Sequence, residues 1–250
     1  MKIPRSHPRY ASLKTREALV GAHRQGLVVL EGLIAHGRGE AWDYLLGERT
    51  IPPARAAERA AAAYLLTAAN PVISVNGNVA ALAARSVARL ARAVPARIEV
   101  NLFHRTDARV RKIATILRKA GAREVLGERP DARIPGLGSD RALAARDGIF
   151  SADVVLVPLE DGDRAEALAA MGKTVLAVDL NPLSRTALAA DVTVVDELSR
   201  ALPNIREEVL RLRGKPANCR RVIERFDNRK NRAAVLRAID ARLGALARKR

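Results

Sequence analysis

The spacing of apolar positions changes near residue 71. Before it, Leu13, Leu19 and Val20 fit one face of a helix around residues 11–24. Thr50 followed by Pro52 and Pro53 marks a second helix start, because proline is tolerated in a helix's first turn. The alanine-rich stretch to Ala69 continues it. From Pro71 onward, short apolar runs at 71–75, 97–100, 153–157, 174–178 and 192–195 read as strands. The run 153–157 is almost continuously apolar, as in a strand covered on both faces.

Helical segments fill the gaps. Asn76-Gly77-Asn78 is a turn leading into an alanine-rich helix that runs to about Arg92. Thr106 caps a helix with Val110, Ile113, Ala114 and Leu117 on one face, and Gly121 stops it. Asp163 and Glu166 form a capping-box pattern, and Gly172 ends that short helix. Residues 127–148 mix prolines, glycines and charges and read as a long loop. The last 50 residues read as two or three helices with basic outer faces. Strands alternating with helices imply βαβ units and a parallel sheet. The organisation is a single α/β domain over residues 1–250: a mainly helical part at 1–70, a sheet core at 71–197 and basic helices at 198–250.

Composition narrows the class. A chain of 250 residues with 48% apolar content can bury a core. No apolar run approaches a membrane span, the first ten residues do not resemble a signal peptide, and the single cysteine, Cys219, excludes an internal disulfide framework. A cytoplasmic protein is expected. The net charge of +17 raises the question of nucleic acid. Residues 201–250, however, hold 15 Lys/Arg against 5 Asp/Glu, so +10 of the excess sits in the last fifth. Aromatics make up only 3%, too few for stacking platforms. An anionic small molecule accounts equally well for the excess in the body.

In open α/β sheets, ligands bind beyond the carboxyl ends of the strands. Those ends carry Asn76 and Asn78; Asn101 and His104; Glu160, Asp161 and Asp163; Asp179 and Asn181; and Asp196 and Glu197. Turns and caps also call for Asn and Asp, but five such ends on one edge favour a site. No Walker-type loop or G-x-G-x-x-G fingerprint is present. In Gly32-Leu-Ile-Ala-His36-Gly37-Arg38-Gly39-Glu40, the glycines would let backbone approach a bulky anion while Arg38 grips its oxygens; a tight turn with an exposed arginine is the plainer alternative. Arg185 stands where a helix begins and could also meet phosphate. The histidines show no metal-ligand spacing.

Six blocks then form a recognisable set: Ile3-Pro-x-Ser-His-Pro-Arg-Tyr10, Gly32 to Ala41, Ser74-Val-Asn-Gly-Asn-Val-Ala-Ala-Leu82, Glu99-Val-Asn-Leu-Phe103, Pro158-Leu-Glu-Asp-Gly-Asp-Arg164 and Asp179-Leu-Asn-Pro-Leu-Ser-Arg185. In order over roughly residues 1–200, they resemble the archaeal 4-phosphopantoate–β-alanine ligase family, also called archaeal phosphopantothenate synthetase. Trp42 and His104 stand where relatives are expected to carry Phe and Tyr.

The resemblance implies a Rossmann-like three-layer sheet, a homodimer, and ATP with Mg²⁺. ATP would activate 4-phosphopantoate, and β-alanine would form the amide with release of AMP and diphosphate. It places nucleotide contacts on Arg16, Arg38, Asp179, Leu180, Asn181, Arg185 and Thr186, and around Asp196 and Glu197. Asn76, Asn78, Asn101 and Asp161 are candidates for the pantoate and β-alanine end. Arg38 is the candidate catalytic cation, and His36 or His104 the base if one is needed. No residue is assigned to a metal. The rivals are another nucleotide-dependent transferase on the same sheet, or a nucleic-acid module on the basic C-terminal helices. Deleting residues 214–250 would remove that module and spare a site in the sheet.

Overall fold

A computed structural model describes residues 3–248; Met1, Lys2, Lys249 and Arg250 lie outside them, including two residues of the basic C-terminal count. Three helices come first: α1 (Tyr10–Arg24), α2 (Leu30–Leu46) and α3 (Pro52–Thr67). The sheet region then runs β1 (Pro71–Val75), α4 (Gly77–Ala93), β2 (Arg97–Val100) and α5 (Asp107–Lys119). Next comes a small excursion with β3 (Ala132–Arg133) and β4 (Leu143–Ala144). It is followed by β5 (Val154–Pro158), α6 (Gly162–Ala170), β6 (Thr174–Val178), α7 (Arg185–Ala189) and β7 (Val192–Val194). Three helices close the chain: α8 (Leu198–Leu212), α9 (Pro216–Arg225) and α10 (Asn228–Ala247).

The main sheet has the order β2-β1-β5-β6-β7, and every pair in it is parallel. Alternation along each strand divides the core into layers. Ile73, Val75, Leu156, Leu176 and Val178 face one apolar cluster with α3, α4, α5 and α8. Val72, Val155, Val157, Val175 and Ala177 face the other, with Ala165 and Leu168 of α6. The result is the expected Rossmann-like three-layer arrangement. Its direction of winding reverses between β1 and β5, which opens a crevice at their carboxyl ends.

Local signals explain many boundaries. The Asn76 carboxamide accepts from Val79 N at 3.1 Å and starts α4, so that residues 77 and 78 are helical rather than part of a free turn. The Thr106 hydroxyl caps α5 through Arg109 N at 3.2 Å. Pro52 and Pro53 occupy the first turn of α3.

Three expectations need correction. Residues 30–46 form one continuous helix, so Gly37, Arg38 and Gly39 lie inside α2 rather than in an anion-wrapping loop or a tight turn. Tertiary packing outweighs the roughly 1 kcal/mol that each interior glycine costs. The Asp163–Glu166 capping box does not form: α6 begins two residues earlier, with Asp161 at its N-cap, and Glu166 pairs with Arg185 at 2.7 Å. The C-terminal helices are also not a separable module. Val235 and Ile239 of α10 are buried in one cluster with Leu46, Ile51, Leu180 and Val195, so deleting them would open the core beside the sheet.

Candidate active site

Helix α2 crosses the carboxyl edge of the sheet. Near its start, the Asn78 carboxamide donates to Gly32 O at 2.8 Å. A Cβ on Gly32 would lie 2.5 Å from Asn78 Oδ1, so a side chain there would displace the carboxamide that holds Gly32 O. Farther along, Gly39 passes over Leu180, with 3.6 Å between a would-be Cβ and Leu180 Cδ1. The helix thereby carries His36, Arg38 and Glu40 over the loop that follows β6.

That loop is tightly folded. The Asp179 carboxylate accepts from Asn181 N at 2.9 Å and from the Ser184 hydroxyl. Asn181 Oδ1 accepts from Leu183 N at 2.9 Å, and Ser184 caps α7 through Ala187 N at 3.0 Å. Burial pushes the Asp179 carboxyl above its ordinary pKa, against the opposing pull of these hydrogen bonds and of the Arg38 charge. Arg38 itself is exposed and has no ion-pair partner among the described residues.

Arg16 of α1 forks onto Glu40, with Nη2 at 2.6 Å and Nε at 3.1 Å, and Ser12 adds a hydrogen bond of 2.6 Å. His36 stands between this pair and Glu197. Its Nε2 is buried without a partner, and burial pushes its pKa below the ordinary histidine value, leaving a neutral imidazole. Glu197 caps α8 through Ser199 N at 2.7 Å.

Asp196 is buried and fully engaged. It accepts from the Thr50 hydroxyl, from Glu197 N at 2.8 Å and from Arg200 Nε at 2.8 Å. Arg200 also pairs with Asp43 of α2. Asn204 joins Thr50 to the buried Glu58, whose carboxyl desolvation pushes up to about 8. Arg185 pairs with exposed Glu166, and the Thr186 hydroxyl donates to Glu160 O at 2.9 Å.

On the β1, β2 and β5 side, the candidate amides hold the fold. Asn76 Nδ2 donates to Leu159 O at 2.9 Å, where Leu159 takes a left-handed φ of 53°. Asn101 Nδ2 donates to Leu143 O at 2.8 Å, tying down the excursion. Asp161 accepts from Arg141 Nε at 2.9 Å. His104 lies apart, exposed and 3.9 Å from Glu31.

The structure thus brings His36 and Arg38 of α2 together with Arg16 of α1, the Asp179–Asn181 loop and Glu197. Arg185 and Thr186 lie on the far side of the Asp179 loop. Asn76, Asn78, Asn101 and Asp161 line the neighbouring strand ends.

Sequence reasoning missed two buried arginines there. Arg141 Nη2 pairs with Glu160 at 3.1 Å, and the fully buried Arg164 pairs with the other Glu160 oxygen and with Ser74 Oγ at 3.1 Å. The i,i+4 spacing of Glu160 and Arg164 was a legible signal. Arg141, inside the irregular excursion, had none. Both guanidiniums share the Glu160 carboxylate, and Arg141 also holds Asp161, so this side of the crevice is a buried ion-pair network.

The described residues contain no cluster of three His, Cys, Asp or Glu suited to a metal ion. A divalent cation brought in on a polyphosphate would therefore have to take most of its ligands from that group and from water.

A sequence profile of the phosphopantothenate/pantothenate synthetase family matches residues 53–242. A protein of Thermococcus onnurineus named 4-phosphopantoate–β-alanine ligase is 53% identical over 99% of this chain and 95% of its own length. A protein of the same name from Methanosarcina mazei is 51% identical over 98% of this chain and 97% of its own length. Another, from Methanospirillum hungatei, is 60% identical over 81% and 83%. With the profile spanning most of the chain and half the residues shared along almost its whole length, the chain belongs to the phosphopantothenate/pantothenate synthetase family.

Proposed function

We propose that this protein is an ATP-dependent ligase that joins (R)-4-phosphopantoate to β-alanine, forming 4′-phosphopantothenate with release of AMP and diphosphate, a step toward coenzyme A. The observation that carries this reading is the near-full-length similarity to ligases of that name. The cation-lined edge beneath α2 supports it.

A carboxylate does not react with an amine unless it carries a leaving group. In the proposed course, a carboxylate oxygen of phosphopantoate attacks the α-phosphorus of ATP and diphosphate departs. The amine nitrogen of β-alanine then attacks the acyl carbon, AMP departs, and the amine gives up a proton. Bringing a triphosphate and a phosphorylated acid together requires countercharge, so catalysis is mainly positioning and electrostatics.

Arg38 is assigned to the phosphates because it is exposed and unpaired among the described residues. Arg16 would join it by exchanging or sharing Glu40. Asp179 accepts from ribose hydroxyls, as acidic residues beyond a strand do in related folds. Leu180 and Asn181 frame the nucleotide, Arg185 and Thr186 flank it, and Asp196 with Glu197 closes its far side. Asn76, Asn78, Asn101 and Asp161 surround the pantoate end. Mg²⁺ bound to ATP would neutralise phosphate charge. His36, neutral and with an unpartnered Nε2, can take the amine proton; His104, exposed near Glu31, is the weaker alternative.

The same reading carries a cytoplasmic homodimer. No helix among the described residues is long and apolar enough to cross a membrane. Leu236, Leu243 and Leu246 on α10, and Leu30 and Ile34 on α2, remain exposed for a second copy to cover.

The test is an assay with ATP, Mg²⁺, 4-phosphopantoate and β-alanine, read by mass spectrometry, beside exchange of labelled diphosphate into ATP. AMP and phosphopantothenate together, with exchange that needs phosphopantoate but not β-alanine, are expected. ADP as the product would replace the reading with a phosphotransferase.

A further inference from the structure

The basic C-terminal helices were the part of the sequence without a role, and their contacts supply one. Asn228, Arg232, Val235 and Ile239 share one face of α10 at spacings of four, three and four residues. Val235 and Ile239 pack with Leu180 and Val195. Asn228 accepts from Thr193 N at 2.8 Å and donates to Ala190 O at 2.7 Å, fastening the end of α7 to the start of β7.

Arg232 Nη1 donates to Pro182 O at 3.1 Å, while its Nε is buried without a partner. Pro182 sits at the apex of the Asp179–Ser184 loop. The loop's internal hydrogen bonds all point inward, toward Asp179 and Asn181. Leu183 beside the apex is half exposed. Arg232 is thus the side chain that ties the outer rim of the loop to the rest of the fold. One helix face touches Leu180 and Pro182 in the loop, the end of α7 just past Arg185 and Thr186, and Val195 just before Asp196.

We propose that Arg232 is a positioning residue for nucleotide binding, holding the Asp179–Ser184 loop in its binding shape through Pro182 O. This rests on the assignment of that loop to ATP. Its effect should be selective, because Arg232 approaches no residue on the β1 and β2 side. Losing a hydrogen bond from a charged donor should loosen the loop enough to weaken ATP by roughly tenfold.

The experiment measures ATP binding by calorimetry and, separately, the KM for ATP and for 4-phosphopantoate. The proteins are wild type, Arg232→Ala, Arg232→Lys and Arg237→Ala, the last being an exposed arginine on another face of the same helix. Arg232→Ala is expected to weaken ATP about tenfold with the phosphopantoate KM unchanged. Arg232→Lys should recover part of the loss, and Arg237→Ala should match wild type. Unchanged ATP affinity in folded Arg232→Ala overturns the proposal. So does an equal loss for both substrates, which would mark general loosening of the fold. If Arg232→Ala does not fold, Arg232→Met, which keeps the apolar stem and lacks the donor, takes its place, and wild-type affinity there rejects the role. A wild-type protein that binds ATP but makes no phosphopantothenate would sink the ligase reading and leave this test intact. A wild type that binds no ATP would sink the inference itself.

Discussion

At the scale of single residues, the site separates side chains committed to the fold from those left free. Asn76, Asn101 and Asp196 spend their polar atoms on backbone or on buried neighbours. Arg38 does not, so Arg38→Ala should leave the melting temperature nearly unchanged while abolishing ligation. A kcat/KM within a few fold of wild type would remove it from the site. Asp179→Ala should weaken ATP in calorimetry and also loosen the loop that Asp179 closes. Glu58 makes a different prediction. Its carboxyl rises from an ordinary 4.5 to about 8 because it is buried. Between those pH values the folded chain holds a proton that the unfolded chain has released, so stability falls as pH rises through the window. Glu58→Gln cannot ionise and should flatten that decline, melting roughly 4 °C or more above wild type at pH 9. Parallel melting curves from pH 5 to 9 would show that Glu58 ionises without cost.

At the scale of elements, α2 is the decisive piece. Its glycines are not equivalent. Gly37 has open space where a Cβ would stand, so Gly37→Ala should stabilise the helix by up to about 1 kcal/mol. Gly32 faces Asn78 at 2.5 Å, so Gly32→Ala should displace the carboxamide from Gly32 O, lowering both stability and activity. Denaturant unfolding of the two variants checks the contrast, and equal shifts would mean that the crossing tolerates a side chain. The β5–α6 connection is a second hinge of the design. The Glu160 side chain grips Arg141 and Arg164, while its carbonyl receives the Thr186 hydroxyl. One residue therefore joins the two sides of the crevice.

At the scale of the molecule, the C-terminal 50 residues belong to the core. Val235 and Ile239 each contribute roughly 1.5–3 kcal/mol by burial, and Asn228 closes the edge of the sheet at β7. Deleting residues 214–250 should therefore abolish cooperative unfolding rather than release an active sheet. A truncated chain with a wild-type melt and full activity would contradict that. The high positive charge is carried by the outer faces of helices whose inner faces are structural, which removes the main reason for treating them as a separate nucleic-acid module.

What the sequence determined by itself was local or collective. Continuous apolar runs set the strands, because a strand covered on both faces needs apolar residues on both. Thr106 announced a helix start, because a capping side chain satisfies backbone donors only a few residues away. The six spaced blocks identified the family. The path of α2 was not legible, since it is chosen by Asn78 and Leu180, residues 46 or more positions distant. The glycines around Arg38 read as a loop because their cost in a helix is local, while the packing that offsets it is not. Arg141 was silent for the same reason: only the return of the chain brings it to the carboxylate that Arg164, four residues along, already holds. The role of α10 likewise emerged only when folding brought Arg232 against Pro182, fifty residues before it.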